Sequence, residues 1–162
     1  MGPDELRKVA QLTEQGGRLR DRVVVVTGAG AVGDEIGNGR AIAVLAAFEG
    51  ASVVMVDRDL SRAERTREML GEQYADQAMA VAADTTSVED TRRAADLAVE
   101  RFGRIDGLVN TVGVIGAPGT AADVDPGEWA RGLEVNVTST MLMSKACLPA
   151  LSDGGGAIVN IS

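Results

Sequence analysis

Five glycines and one aspartate carry the clearest chemistry in the sequence. Gly28, Gly30, Gly33, Gly37 and Gly39 follow an apolar run, Val23 to Val26, and precede a helical spacing of Ala41, Val44, Leu45 and Phe48. Gly50 ends that helix, and a second apolar run, Ala51 to Val56, closes on Asp57. The first turn of a helix leaves backbone N–H groups unpaired, and the helix dipole adds partial positive charge there. A pyrophosphate satisfies both, provided that no side chain keeps it from the backbone, which glycine ensures. A carboxylate at the end of the next strand can accept hydrogen bonds from the hydroxyls of an adenosine ribose. Strand, glycine loop, helix, strand, acid is the order of a dinucleotide-binding βαβ unit.

Two registers of that loop compete. Gly28, Gly30 and Gly33 spell GxGxxG, but a helix begun near Gly30 would run through Gly37, Asn38 and Gly39, all poor interior helix residues. A helix begun near Asn38 or Gly39 removes the conflict. Thr27-Gly28 then leaves the strand, Gly37-Asn38-Gly39 enters the helix, and residues 29–36 form a long loop that ends on Ile36, a further candidate for cofactor contact. In this register Gly39→Val is expected to abolish binding by blocking the pyrophosphate, and Gly33→Ala to be milder. Read this way the segment resembles the short-chain dehydrogenase/reductase family, whose motif is TGxxxGxG followed by a small-residue helix such as Arg40-Ala41-Ile42-Ala43. The loop here is several residues longer than the usual three.

The elements around this unit alternate. Residues 4–15 read as an amphipathic helix, broken by Gly16-Gly17, and residues 1–20 as an amino-terminal extension to a domain over 21–162. Asp59 to Leu70 reads as a charged helix with an apolar edge of Ala63, Met69 and Leu70. Ala78 to Ala83 reads as the third strand, ending at Asp84. Ser87 and Asp90 suggest a capping pair ahead of a helix whose stripe is Val88, Ala95, Val99 and Phe102. Ile105 to Asn110 reads as the fourth strand. Asp125-Pro126 opens the longest helix, with Trp129, Leu133, Val137 and Met141 on its expected buried side and Pro149 at its expected end. Ala157 to Ile161 is the fifth strand. The alternation predicts an α/β, Rossmann-like doubly wound parallel sheet of order 3-2-1-4-5, with the ligand crevice between strands 1 and 4. That topology brings Gly28, Asp57, Asp84 and Asn110 to one carboxyl edge.

Composition excludes several classes. The 162 residues suffice for one domain with a core, 45% are apolar, and only 2% are aromatic, so that core is aliphatic. A net charge of −8 argues against nucleic acid or an anionic membrane as partner. The absence of histidine removes histidine acid/base catalysis and most zinc sites, and no metal site is expected. Cys147 is alone, which suits a reducing, cytoplasmic setting. The sequence holds no apolar run of membrane-spanning length and no signal-peptide pattern. The sequons at Asn136 and Asn160 fall in segments expected to be packed.

The resemblance extends from about Asp21 to the last residue, and covers the family's nucleotide-binding half, without its carboxyl-terminal strands and helices. It implies an NAD-dependent oxidoreductase that transfers hydride between nicotinamide and an alcohol or carbonyl substrate, and a homo-oligomer. Asp57 would favour NAD over NADP by repelling a 2′-phosphate, which Arg58 would partly offset. Asp84-Thr85 resembles the family's adenine-edge pair. Asn110-Thr111-Val112-Gly113 stands where the family has NNAG; from the residues alone, Asn110 can tie neighbouring strands through backbone hydrogen bonds and Gly113 lets the chain pass close to a ligand. Asn136 matches an asparagine that helps hold a water in the family's proton relay, against the plainer reading of a helix asparagine bonded to local backbone. The catalytic serine would be the residue after Ser162, followed by Tyr-x-x-x-Lys. The single tyrosine, Tyr74, has Ala78 four residues on, so the 162-residue chain is expected to bind a dinucleotide without turning over. The alternatives are a stand-alone, non-catalytic nucleotide-binding or redox-sensing module and, more weakly, a relative of the nucleotide-sugar epimerases.

Overall fold

The computed structural model describes residue 8 and residues 17–31 and 36–162. The helix expected over 4–15 falls, but for Lys8, outside them, as does Gly33. The elements are β1 (Val23–Thr27), α1 (Asn38–Phe48), β2 (Ser52–Asp57), α2 (Leu60–Glu68), a 3-10 segment (Glu72–Gln77), β3 (Ala78–Ala82), α3 (Val88–Phe102), β4 (Gly107–Asn110), α4 (Pro126–Leu133), a π-helical turn (Glu134–Thr138), α5 (Ser139–Gly154) and β5 (Ala157–Asn160). All strand pairs are parallel and the order is β3-β2-β1-β4-β5. The expected sheet is therefore the one formed.

Alternation along the central strands builds a core on each face of the sheet. Val24 and Val26 of β1 and Val53 and Met55 of β2 meet Ala43, Val44 and Ala47 of α1, with Ala63 and Leu70 beside them. Val25, Val54 and Val56 point the other way, against Ala94, Ala95 and Ala98 of α3 and Met143, Cys147 and Leu151 of α5. Strands buried on both faces must be apolar at every position, which is why β1 and β2 read as unbroken valine-rich runs. At the amino edge, the carboxylate of Asp106 accepts hydrogen bonds from the Val23 N–H (2.9 Å) and the Arg22 guanidinium (2.9 Å), with Arg104 also paired to it. Before β1, the Arg18 guanidinium and the Gly17 and Arg18 N–H groups bind the Glu49 carboxylate at the end of α1.

Two helices depart from the burial expected of them, α3 only in part, since its Ala95 is buried and its Phe102 packs against the core as expected. In α3 the covered side is Thr91, Ala94, Ala95 and Ala98, while Val88 and Val99 are exposed. Alanines bring this helix close to the sheet, and the larger valines stay outside. In the long helix the four residues expected inside, Trp129, Leu133, Val137 and Met141, are all exposed; Leu142, Met143, Cys147 and Leu151 are buried instead. The helix also passes Pro149 and ends at Gly154. A proline removes one backbone bond, and here Leu151, 4% exposed, keeps the last turns packed on the sheet. The capping pair does form, with Ser87 Oγ accepting from the Asp90 N–H at 3.2 Å.

Candidate dinucleotide cleft

A cleft of about 640 Å³ opens at the carboxyl ends of the strands. Gly28, Gly30, Gly37 and Gly39 line it from the glycine loop, Asp57 and Arg58 from the end of β2, Asp84 and Thr85 from the end of β3, and Gly113 from the loop after β4. Nine of the residues singled out from sequence thus share one surface. The strand register explains why: Thr27 pairs with Val56 on one side and with Asn110 on the other, so β1, β2 and β4 end level.

The glycine loop is built by packing as much as by backbone freedom. Gly28 turns out of β1 in the left-handed region, φ 64°, where a side chain is strained. Helix α1 then begins at Asn38, in the register that avoids glycines inside a helix. Its N-cap is Gly37, no side chain caps it among the described residues, and its first turn holds no acid. That leaves a helix amino terminus, with its partial positive charge, facing the cleft. A Cβ on Gly39 would collide with the Gly28 carbonyl oxygen and the Thr111 hydroxyl, so this glycine is required by contact between helix and strand. A side chain at 39 thus disturbs the contact between helix and strand, besides any effect on a ligand in the cleft that Gly39 lines. Gly37 is the opposite case: among the described residues the nearest atom to a Cβ there is the Ala31 Cβ, at 3.7 Å.

The acids are held by backbone. Asp57 Oδ2 accepts from the Gly30 N–H at 2.9 Å and its Oδ1 from the Asp59 N–H at 3.0 Å. Asp84 Oδ1 accepts from the Thr86 hydroxyl (2.7 Å) and N–H (2.9 Å), and these bonds hold its carboxyl below the usual carboxylate range. It is ionised at neutral pH and is an acceptor only. Its own N–H donates to Asp90 Oδ2 at 2.9 Å, tying the end of β3 to the first turn of α3.

Three of the expected site residues stand back from the cleft surface. Ile36 packs against the α1 side of the core. Asn110, 3% exposed, ties strands with its side chain, beyond the backbone pairing expected of it: Nδ2 donates to Asn160 Oδ1 at 3.0 Å and lies 3.4 Å from Ser144 Oγ. Asn136 lies in the π-helical turn and grips the loop after β4, its Oδ1 accepting from the Val114 N–H (2.8 Å) and its Nδ2 donating to the Val114 carbonyl (3.1 Å). Tyr74 packs against Phe48 with ring centroids 5.4 Å apart, under α1.

The cleft also holds Asn38, Thr111 and Val112, which stood in the motifs without a role of their own, and Arg62, Arg131 and Val135, which the sequence did not single out. Thr111 Oγ1 donates to the Thr27 carbonyl at 2.6 Å and closes the gap between β1 and β4 beside Gly28. Val135 and Arg131 are spaced one helical turn apart, so a single face of that helix brings both to the cleft, though neither has a spacing to Asn136 that pointed to it. Arg62 carried no signal either; it arrives through the fold of α2.

Comparison with known proteins gives one answer. The pattern of the short chain dehydrogenase family matches residues 22–162. The 2-(S)-hydroxypropyl-CoM dehydrogenase 3 of Xanthobacter autotrophicus is 40% identical over 88% of this chain and 54% of its own length. The trans-4-hydroxycyclohexanecarboxylate dehydrogenase of Sinomonas cyclohexanicum is 34% identical over 90% of this chain and 56% of its own. A short chain dehydrogenase of Mycobacterium smegmatis superposes with a TM-score of 0.80 at 37% identity, over 89% of this chain and 59% of that one. The chain spans about half the length of the curated relatives it matches.

Proposed function

The chain belongs to the short-chain dehydrogenase family, and on that premise we propose that it is the NAD-binding part of an oxidoreductase acting between an alcohol and its carbonyl. One observation carries this reading: an acid-free helix amino terminus, the Asp57 carboxylate, the ionised Asp84 and Gly113 all line one cleft. The cleft fits a dinucleotide part by part. The open side of Gly37 leaves room for a pyrophosphate against the first turn of α1. Asp57, anchored by two backbone N–H groups, presents its remaining lone pairs to ribose hydroxyls and opposes a 2′-phosphate, so NAD is preferred to NADP. Asp84 and Thr85 sit where they can meet an adenine amine, with Val135 and Val112 as apolar walls. When bound, the nicotinamide supplies the hydride acceptor. The residues of this chain bind it, orient it and exclude water from one side of it.

The relatives from Xanthobacter autotrophicus and Sinomonas cyclohexanicum are both called dehydrogenases of hydroxyl-bearing compounds, which supports an alcohol or carbonyl substrate here. Asn136 enters the proposed reaction by holding Val114, and with it the loop that borders the cleft. Residues 1–162 by themselves are proposed to bind without turnover, because the family's serine and Tyr-x-x-x-Lys match no positions in them. A homo-oligomer in a reducing cytoplasm completes the proposal. The test is NADH formation from a panel of secondary alcohols, followed by absorbance, with the protein at its natural length and with residues 1–162 alone. Turnover is expected in the first and none in the second; turnover by 1–162, or reduction of NADP but not NAD by the longer protein, contradicts the reading.

A further inference from the structure

We infer that Thr66, a residue outside the cleft, aims Asp57 by locking one peptide plane of the glycine loop; the inference rests on the dinucleotide reading above. Thr66 lies on α2, is fully buried, and sets its hydroxyl 2.7 Å from the Ala29 carbonyl oxygen. The Ala29 carbonyl and the Gly30 N–H belong to the same planar peptide unit. That N–H donates to Asp57 Oδ2 at 2.9 Å. One plane is thus held at both ends, by Thr66 behind the loop and by Asp57 at the cleft. Turning it breaks both bonds together.

The direction of the hydroxyl proton is itself set. The buried Arg40 Nε donates to Thr66 Oγ1 at 3.1 Å, so the single hydroxyl proton faces away from the guanidinium. Two carbonyls then compete for it, Ala29 at 2.7 Å and Arg62, four residues back on the same helix, at 3.1 Å. The shorter bond goes to the loop. Bonds in such a chain reinforce one another, since a hydroxyl that accepts from a charged donor is a better donor itself. The preceding unit is fixed as well, the Ala29 N–H donating to the Val56 carbonyl at 3.1 Å. Without the Thr66 hydroxyl, the plane can turn and Asp57 loses the N–H that orients Oδ2. The carboxylate then rotates away from the ribose hydroxyls it selects.

The test compares Thr66→Val, which keeps the shape and removes the hydroxyl, with Thr66→Ser, which keeps the hydroxyl. Both are made in the protein at its natural length, and NADH and NADPH affinities are measured by titration alongside Tm. Thr66→Val is expected to bind NADH about tenfold more weakly, as loss of one buried hydrogen bond implies, and its preference for NADH over NADPH should shrink. Thr66→Ser should restore both. A purely structural role would lower Tm and leave the preference ratio unmoved, and that result, or equal behaviour of the two variants, overturns the inference. Should Thr66→Val not fold, Thr66→Cys, with a weakly donating thiol, decides by the same ratio. If the unaltered protein binds no NADH, the dinucleotide reading fails while the lock is still judged by hydrogen exchange. The Gly30 amide is then slow in the unaltered protein and in Thr66→Ser, and fast in Thr66→Val; equal exchange in all three overturns the lock.

Discussion

Gly37 and Gly39 are two residues apart and do different things, so substitutions there separate ligand contact from folding. A side chain at 39 collides with the Gly28 carbonyl, and Gly39→Ala should cost about 1–3 kcal/mol of stability by overpacking. At Gly37, which lines the cleft, a Cβ meets nothing nearer than ordinary van der Waals contact among the described residues, the Ala31 Cβ at 3.7 Å. The Tm of Gly37→Val should stay near that of the unaltered protein, while NADH affinity drops by about tenfold or more. Calorimetry and titration on both variants check the pair; a Gly37→Val protein with full affinity would show that the pyrophosphate does not approach the helix there. The glycine spacing located this corner, but a sequence cannot tell a glycine kept for a ligand from one kept for a neighbouring carbonyl. That distinction depends on how near β1 comes to α1, which the packing of the two elements decides.

At the scale of elements, the sheet is clamped at its amino edge by Asp106 and at its carboxyl edge by Asn110. Burial works against ionisation of Asp106, yet the Val23 N–H and the Arg22 and Arg104 guanidinium groups together hold its carboxyl below the ordinary range. A carboxyl whose pKa falls on folding adds stability at pH values above about 4, its unfolded value, and loses it as pH drops through the folded value. Asp106→Asn should therefore cost about 1.5–3 kcal/mol at pH 7 and progressively less in acid, as urea melts at several pH values would show. Asn136→Ala should free the loop after β4, speeding amide exchange at Gly113 and Val114 and weakening NADH binding severalfold. Unchanged exchange there would mean that the two Asn136 bonds to Val114 do not hold the loop. Strand order and the start of α1 were legible because valine runs and helix-breaking glycines are strong local signals. The covered side of the long helix was not, and that of α3 only in part, through Ala95 and Phe102. Alanines pack closely without an apolar stripe that stands out, and Trp129, Leu133, Val137 and Met141 form a true apolar face that no described element of this chain covers. Periodicity reports that such a face exists, not what lies against it.

For the molecule as a whole, that face and the outer edge of the sheet add up to an unusual surface. Ile158 and Val159 of β5 are exposed on an edge strand, and Trp129 and Leu133 of α4 and Met141 of α5 are exposed as well. Soluble proteins seldom leave such patches open, because unpaired strands and apolar faces recruit other chains. Residues 1–162 produced alone are expected to self-associate, and a monodisperse, cooperatively melting monomer by sedimentation and calorimetry would contradict this. The claim on which the rest depends is that the cleft at the carboxyl edge binds a nicotinamide dinucleotide through the α1 amino terminus, with Asp57 selecting its ribose. Titration calorimetry of the natural-length protein with NADH and with NADPH tests it in one experiment. A single saturable site for NADH is expected, with binding of NADPH weaker by about tenfold or more, one repelled phosphate being worth at least about 1.4 kcal/mol. Absence of NADH binding, or equal affinity for the two, would contradict it.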